Sequence, residues 1–590
     1  AHRGPAARST AGEPSSGQAV AGEQLYGEAR GGTLTVRSAA GFENLDPGES
    51  YAFASDYAID YATQRPLFSY MPNDPGQVVA DLASEVPTTA NGGISPDGRT
   101  VTVHIRRGVH FSPPVDREVT ASDIAYAIER GANPNVANPY FATYFGWRAD
   151  APLEGAQTPG YAGGPIAGIQ TPDKDTIVFH TIRPSGAFLV QALSLPLSAP
   201  VPQSFAGPLD EHHPTAYGRQ YLVATGPYMI ASNAAGMIAG IGYQAQPQIV
   251  GAIGHLTLVR NPSWNAGSDY RPAYLDRIEI AFGGDPAVIG RRVLTDTDAV
   301  QLDTPEPSVV QLAYNSYPSQ LTLTPGAGEQ FVALDNAAGP FTNEDLRKAL
   351  WAALDRQAIV RARGGPSFAQ AMTHFIYPGV AGFADAGGDA GPLADYNADP
   401  NGDPAVAAKY MKLAGYPRGT YTGSAVLRVV AASTGSQPAI AHIVTDALTA
   451  LGFQTQLTLV KPGELYSKYC AVPRQEVDVC PSVGWRADFG DPATVLEPTF
   501  RGPATETSPN MNFGQVDDPE INAAIARATL VPDLAGRAQA WAAVDRLVVA
   551  KAVAVPETFN SQANIESSGV AGVNQMWNGG TWDFDFTSLK

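Results

Sequence analysis

The sequence predicts an α/β protein, and three observations carry that prediction. Residues 425–460 run strand, helix, strand: "AVLRVVAA", then "AIAHIVTDALTALGF", then "QTQLTLV". That order gives a βαβ unit in a partly parallel sheet. Segments of two-residue alternation and segments of helical periodicity also interleave from residue 33 onward. Finally, "VAVPETFN" near the end alternates like a strand at Val553 and Val555 but is too short to stand as a domain. It must join a sheet built by earlier residues. Two α/β regions stand out, roughly 31–325 and 330–550. With 590 residues, 44% of them hydrophobic, the chain can fill several cores at about 100–200 residues per domain.

Taken in order, "GGTLTVRSAA" alternates Leu34 and Val36 with Thr33, Thr35 and Arg37, a half-buried strand. "SDYAIDYATQRPLFSY" reads as a helix running into a loop, with Ser55 and Asp56 as caps and Ile59, Ala62 and Leu67 inward. "SPDGRTVTVHIRRGVHF" predicts a hairpin turning at Asp97-Gly98, with Val101, Val103 and Ile105 on one face. Thr120 opens a helix with Asp123 in a capping-box role, Ile124, Ala127 and Ile128 as its buried stripe and Gly131 as its stop. "ATGPYMI" is a turn into a strand, and "HLTLVRNPSWN" and "RIEIAF" are further strands. "NEDLRKALWAALDRQAIV", Asn343 to Val360, predicts one amphipathic helix.

Charge and composition exclude several function classes. The formal net charge is −19 and the pI about 4.9, so a phosphate backbone is repelled and nucleic acid is not expected as a partner. No apolar run approaches the ~20 residues that span a bilayer. The first thirty residues are small, polar and rich in Pro, Gly and Ser, the composition of a flexible tether on an exported protein. Cys470 and Cys480, ten positions apart, suit a disulfide across a short loop in an oxidising compartment, with two free thiols or a metal pair as alternatives. No nucleophile elbow, H-E-x-x-H, P-loop or G-x-G-x-x-G is present. His212-His213 are adjacent in "LDEHHP", a poor arrangement for one ion. No enzyme activity, cofactor or metal is expected.

One stretch asks for an explanation: "VGWRADFGDPATVLEPTF", Val483 to Phe500, with carboxylates at Asp488, Asp491 and Glu497 beside a Trp and two Phe. Read together with "GGTLTV", "FENLDPGES", "SPDGRTVTVHIRRGVHF", "VTASDIAYAIER", "ATGPYMI", "LVRNPSWN", "PFTNEDLRKALWAALDR" and "VAVPETFN", in that order from about 31 to 560, the chain resembles the extracellular solute-binding proteins of peptide ABC importers. These are the oligopeptide/dipeptide-binding type, bacterial family 5, and the resemblance implies an actinobacterial member. The stretch "FSPPVDREVTA" departs from the His/Asp-Gly turn usual in that family.

The resemblance implies a two-lobed, periplasmic-binding-protein-like α/β fold with a hinge. Residues 1–30 would be the tether and 31–325 lobe I, with an extra subdomain at about 80–190. Residues 326–555 would be lobe II, and 556–590 a return to lobe I. It implies an extracellular, lipid-anchored monomer that passes a peptide to an ABC transporter permease. Asp488, in the family's G-W-x-x-D position, would pair with the peptide's amino group, because an unpaired buried ammonium is very costly. Gly484 to Arg486 would pair with the ligand backbone as an added strand, Trp485 would form a flat wall, and Phe42 and Glu43 would supply the facing backbone of lobe I. Arg486 is a candidate for a ligand carboxylate. Some members hold a short peptide's C-terminus with a basic residue just before Gly-Trp, whereas "CPSV" stands here. Alternatives are a small cationic ligand such as an arginine-like amino acid, or a paralogue serving a specialised-metabolite cluster, clavulanic acid for example. More distant is a sugar or metal-chelate binder.

Overall fold

A computed structural model describes residues 29–590 apart from 43–44, 51–53, 73, 137, 139, 147–152, 157–163, 214–215, 240–253, 474, 507–509, 573–575 and 577–581. Two main sheets organise the chain. The first has five strands, in the order Ala299–Gln301, Thr33–Ser38, Arg277–Phe282, Gly254–Arg260 and Tyr228–Ile230. Thr33–Ser38 is parallel to both neighbours, and the remaining pairs are antiparallel. Leu34 and Val36 are fully buried, as their alternation requires. A separate three-stranded sheet, Thr100–His104, Thr176–His180 and Ile169–Asp173, packs against the helix Ala121–Gly131.

The second main sheet has six strands, in the order Ala369–Ala371, Ala554–Ile565, Leu321–Leu334, Val479–Val483, Val426–Ala432 and Gln454–Val460. Val426–Ala432 and Gln454–Val460 are parallel, joined by the helix Gln437–Ala450. This is the expected βαβ unit, and Gly452, at φ +95°, ends its helix side.

Four local expectations are corrected. The Asp97-Gly98 turn forms, with Gly98 N–H donating to the Ser95 carbonyl at 2.8 Å, but the preceding arm is only the bridge Ile94↔Val101. The strand Thr100–His104 pairs instead with distant Thr176–His180, because its apolar face needs a longer partner than that arm offers. The single helix expected over 343–360 is two, Glu344–Ala353 and Arg356–Ala362. Leu354 is extended, and Asp355 caps the second helix by accepting from Ala358 N–H at 2.7 Å. Gly131 does not stop its helix but is its last residue, packed where a Cβ would strike Leu197.

The fourth correction concerns the strand near 556. The expectation puts it in lobe I, whereas Ala554–Ile565 lies inside the six-stranded sheet, antiparallel to Leu321–Leu334 over nearly its whole length. Its residues are buried on both faces for most of that length, and it has strand neighbours at both edges, Ala369–Ala371 and Leu321–Leu334. Only at its end does the chain cross over. Glu566 bridges Val300, Ser567 N–H donates to the Ala299 carbonyl at 2.8 Å, and Trp582 Nε1 donates to the Gln301 carbonyl at 2.5 Å. Leu321, Ala563 and Ile565 are buried in a cluster with Val293, Leu294, Ala299, Val309, Val310 and Ala313, which lie beside the first sheet. The paired strands therefore begin in one lobe and end in the other. Register shifts at Pro325/Glu329 and Gln330/Phe331 interrupt the pair midway.

Candidate functional site

A cavity of about 980 Å³ opens between the two lobes. Tyr57, Tyr140, Thr304, Pro305 and Val310 line it from one side, and Arg363, Ser436 and the whole of Gly484–Asp488 from the other. The middle of the strand pair, Gly328–Gln330 and Asn560–Ala563, forms its back wall.

Gly484–Asp488 follows the strand Val479–Val483, and local packing fixes where it runs. A Cβ on Gly484 would collide with the Glu329 carbonyl, so only glycine lets the loop lie against the neighbouring strand. Glu329 N–H donates to the Trp485 carbonyl at 3.3 Å, and Ala487 N–H donates to the Tyr377 hydroxyl at 2.8 Å. Trp485 is turned into the cavity wall, its Nε1 donating to the Thr494 carbonyl at 2.9 Å. Upstream, Cys470 and Cys480 form a buried disulfide with a Cα–Cα distance of 6.3 Å, staking the segment that leads into this loop.

Asp488 is half-buried and faces hydroxyls rather than cations. The Tyr144 hydroxyl donates to Oδ2, and the Tyr140 hydroxyl donates to Oδ1 at 3.3 Å. Tyr57 in turn donates to the Tyr140 hydroxyl at 3.0 Å. Both tyrosines come from the short helical turn at 140–145, on the opposite side of the cavity. Burial pushes the Asp488 carboxyl up to about 6, against the lowering effect of the two hydroxyls. Asp491, three residues on, has a different job. It is fully buried, pairs with Arg537 Nε at 2.7 Å and Nη2 at 3.0 Å, and accepts from Gln191 Nε2 at 2.8 Å. It is a structural anchor between the two sides, as is the Tyr70 hydroxyl that accepts from Gly490 N–H at 3.1 Å.

The other expected positions divide. Gly484, Trp485, Arg486 and Asp488 are brought together on the cavity. Burial lowers the Arg486 guanidinium, with the nearby Tyr377 opposing it. Phe42 is not among the residues lining the cavity. Its ring is buried and packs edge-on against Phe282 at 5.6 Å, so a ligand role would rest on its backbone. Glu43 lies outside the described residues.

Sequence reasoning missed Tyr140, Tyr144 and Arg363. The tyrosines stand four apart in "NPYFATYFG", a spacing that puts two hydroxyls on one helical face. Arg363 ends a helix and reads as a solvated last-turn cation. Glu329 also lies on the cavity wall; its carboxyl oxygens are buried with no partner among the described residues. Burial, reinforced by Asp545, pushes this carboxyl well above the usual range.

Comparison with known proteins agrees with this architecture. The model of "Bacterial extracellular solute-binding proteins, family 5 Middle" matches residues 77–506. Di/tripeptide-binding protein 3 of Pseudomonas aeruginosa is 23% identical over 473 residues, 77% of this chain and 76% of the relative. Among solved structures, the clavulanic acid biosynthesis oligopeptide binding protein 2 superposes with a TM-score of 0.78 at 25% identity, covering 95% of this chain and 96% of its own. The periplasmic binding protein DppA from Helicobacter pylori, in complex with the peptide STSA, shares the fold with a TM-score of 0.67 at 18% identity, covering 95% of this chain and 98% of its own.

Proposed function

From the premise that this chain belongs to the bacterial extracellular solute-binding proteins of family 5, we propose that it is the peptide-capturing subunit of an ABC importer, working outside the cell membrane and not as an enzyme. Asp488 carries the reading. Its carboxylate meets the interlobe cavity, is raised to about 6 by burial, and is met only by neutral hydroxyl donors among its described hydrogen bonds. A ligand ammonium supplies the missing positive charge, and the charge-assisted hydrogen bonds that result are the strong kind. Trp485 gives a side chain of the ligand an aromatic surface, and Arg486 stands two residues from the anchor.

The mechanism is population shift. A ligand that touches both lobes favours the closed arrangement by the difference in its contacts between open and closed. Boundaries consistent with the sheets are a tether before residue 31, a first lobe to about 320 with the three-stranded unit inside it, and a second lobe to about 564. The remaining segment returns to the first lobe. The protein acts as a monomer, tethered at the cell envelope, and delivers to a permease. No helix among the described residues is long and apolar enough to cross a membrane.

A dedicated binder of a small cationic amino acid is the second reading, favoured by the same carboxylate. Native mass spectrometry of the purified protein, followed by denaturing release, separates the two. A ladder of peptide masses supports the peptide importer. A single small mass replaces it with the dedicated binder.

A further inference from the structure

Just beyond Asp488 the lobes touch a second time, outside the cavity. Phe489 is fully buried, and its ring sits against two rings of the first lobe. The Tyr144 ring centroid is 4.9 Å away and the Phe188 centroid 5.3 Å, both edge-on. Such edge-to-face pairs are favourable beyond the area they bury. Polar contacts cross the same boundary. Gln191 Nε2 donates to Asp491 Oδ2 at 2.8 Å, Gly490 N–H donates to the Tyr70 hydroxyl at 3.1 Å, and the Arg537 guanidinium lies 5.1 Å from the Phe188 ring centre. Phe188 and Gln191 stand on the helix Gly186–Ala192, which packs on the turn that carries Tyr144 and on the strand Thr100–His104 of the three-stranded unit. The turn of that unit at Gly98 meets the second lobe as well, for a Cβ there would stand 3.3 Å from Pro532 Cβ.

Two features make this contact separable and independent of cargo. None of Tyr70, Phe188, Gln191, Phe489 and Asp491 lines the cavity, so no ligand atom is needed to complete it. The Asp491 charge is also neutralised inside its own lobe, by Arg537 Nε at 2.7 Å and Nη2 at 3.0 Å. Parting the lobes leaves that pair intact and avoids the large penalty of stranding a buried charge. What parting costs is neutral: one buried phenyl ring returns to water, and hydrogen bonds to Gln191 and Tyr70 are exchanged for hydrogen bonds to water. Phe489 is meanwhile held in place from both sides. Asp488 before it accepts from the Tyr140 and Tyr144 hydroxyls, and Asp491 after it accepts from Ala493 N–H at 2.9 Å.

We propose that the three-stranded unit of the first lobe is a catch and Phe489 the plug it holds, so that the empty protein rests closed and ligand entry waits on opening. The plug sets the resting equilibrium between open and closed, and the ligand's own contacts add to it. This goes beyond the peptide reading and is tested with no ligand present, so either can fail alone.

Both cysteines are in the disulfide, so nitroxides at Ala90→Cys and Asp446→Cys, exposed positions in the two lobes, are the only labels on the chain. The labelled protein is unfolded in guanidinium without reductant, dialysed free of cargo, refolded and checked by native mass spectrometry. Double electron–electron resonance then reads the distance between the lobes. The stripped parent should give the distance of this structure, with an open population of at most about 10%. Phe489→Ala in the second lobe and Phe188→Ala in the first should each lower the closed-to-open ratio at least about tenfold. The double variant should fall short of the product of the two, because both remove one shared contact. Gln191→Ala, which keeps both rings, should shift the ratio the same way and stands in for a variant that fails to fold. A stripped parent that rests at a longer distance overturns the proposal, and that measurement needs no variant. Folded variants that stay as closed as the parent overturn it too. Effects of Phe489→Ala and Phe188→Ala that multiply as independent sites overturn the pairing of plug and catch.

Discussion

Replacing Asp488 with Asn should make the empty protein more stable and the binding protein worse. In the folded chain the carboxyl is raised from 3.8 to about 6. At about 1.36 kcal/mol per pH unit, that corresponds to roughly 3 kcal/mol. The side chain is only half-buried, and water in the cavity screens part of the effect, so ~3 kcal/mol is the upper figure. The sign follows from the direction. A carboxyl raised on folding disfavours the folded state wherever it is ionised, so the cost is present in full above pH 6 and disappears as pH falls through 6 toward 3.8. Asn keeps an oxygen for the Tyr144 hydroxyl and carries no charge. Asp488→Asn should therefore melt higher than the parent at pH 7.5 and level with it near pH 4. Binding moves the other way. On the proposed function, a ligand ammonium loses the counter-charge of Asp488, at a cost of about 2–5 kcal/mol, or at least about thirtyfold in Kd. In the parent, affinity for amine ligands should fall about tenfold per pH unit below 6, as the carboxyl takes up a proton. Differential scanning calorimetry across pH and isothermal titration with the co-purified ligand read both halves. A variant that melts lower at pH 7.5, or binds as tightly as the parent, refutes the assignment of Asp488 as a strained, waiting anchor.

Other perturbations follow from the same geometry. Tyr144→Phe removes a hydroxyl that lowers the Asp488 carboxyl, so the acid limb of the binding profile should move to higher pH; an unchanged midpoint counts against the contact. Gly484→Ala puts a methyl into the Glu329 carbonyl, and a soluble variant with unchanged melting would contradict the described path of the loop. Arg537→Gln strands the buried Asp491 carboxylate, at about 3–5 kcal/mol, visible as a large loss in denaturant midpoint. Cys470→Ser/Cys480→Ser opens an eleven-residue loop, which chain entropy values at about 3 kcal/mol; hydrogen exchange should rise first in 470–488.

Much of the fold was legible because it is written in short-range periodicity. Val101, Val103 and Ile105 on one face, and the strand–helix–strand run from 425 to 460, need only local pattern. The long strand Leu321–Leu334 was not read, since "TPGAGEQ" breaks the alternation with Pro325, Gly326 and Gly328. Pattern also could not say which sheet Ala554–Ile565 joins, because alternation reports burial and not the identity of the neighbour. At the site, Gly484–Asp488 was found through a motif in one continuous stretch. Tyr144 reaches Asp488 from 344 positions away, and Arg363 reaches Ser482, two residues before that stretch, from 119; a contact of that range leaves no local mark.

The strand pair that joins the lobes also supplies the back wall of the cavity. On the proposed function, a ligand in this cavity sits at the fulcrum, where a rotation moves atoms least, while Tyr140 and Tyr144 ride on a lever arm that sweeps toward Asp488. Contacts with Gly328–Gln330 and Asn560–Ala563 persist whichever way the arm points and so add grip without leverage. Torque on the arm comes from groups that meet across the gap, and a carboxylate shared between two hydroxyls and an incoming ammonium is such a group.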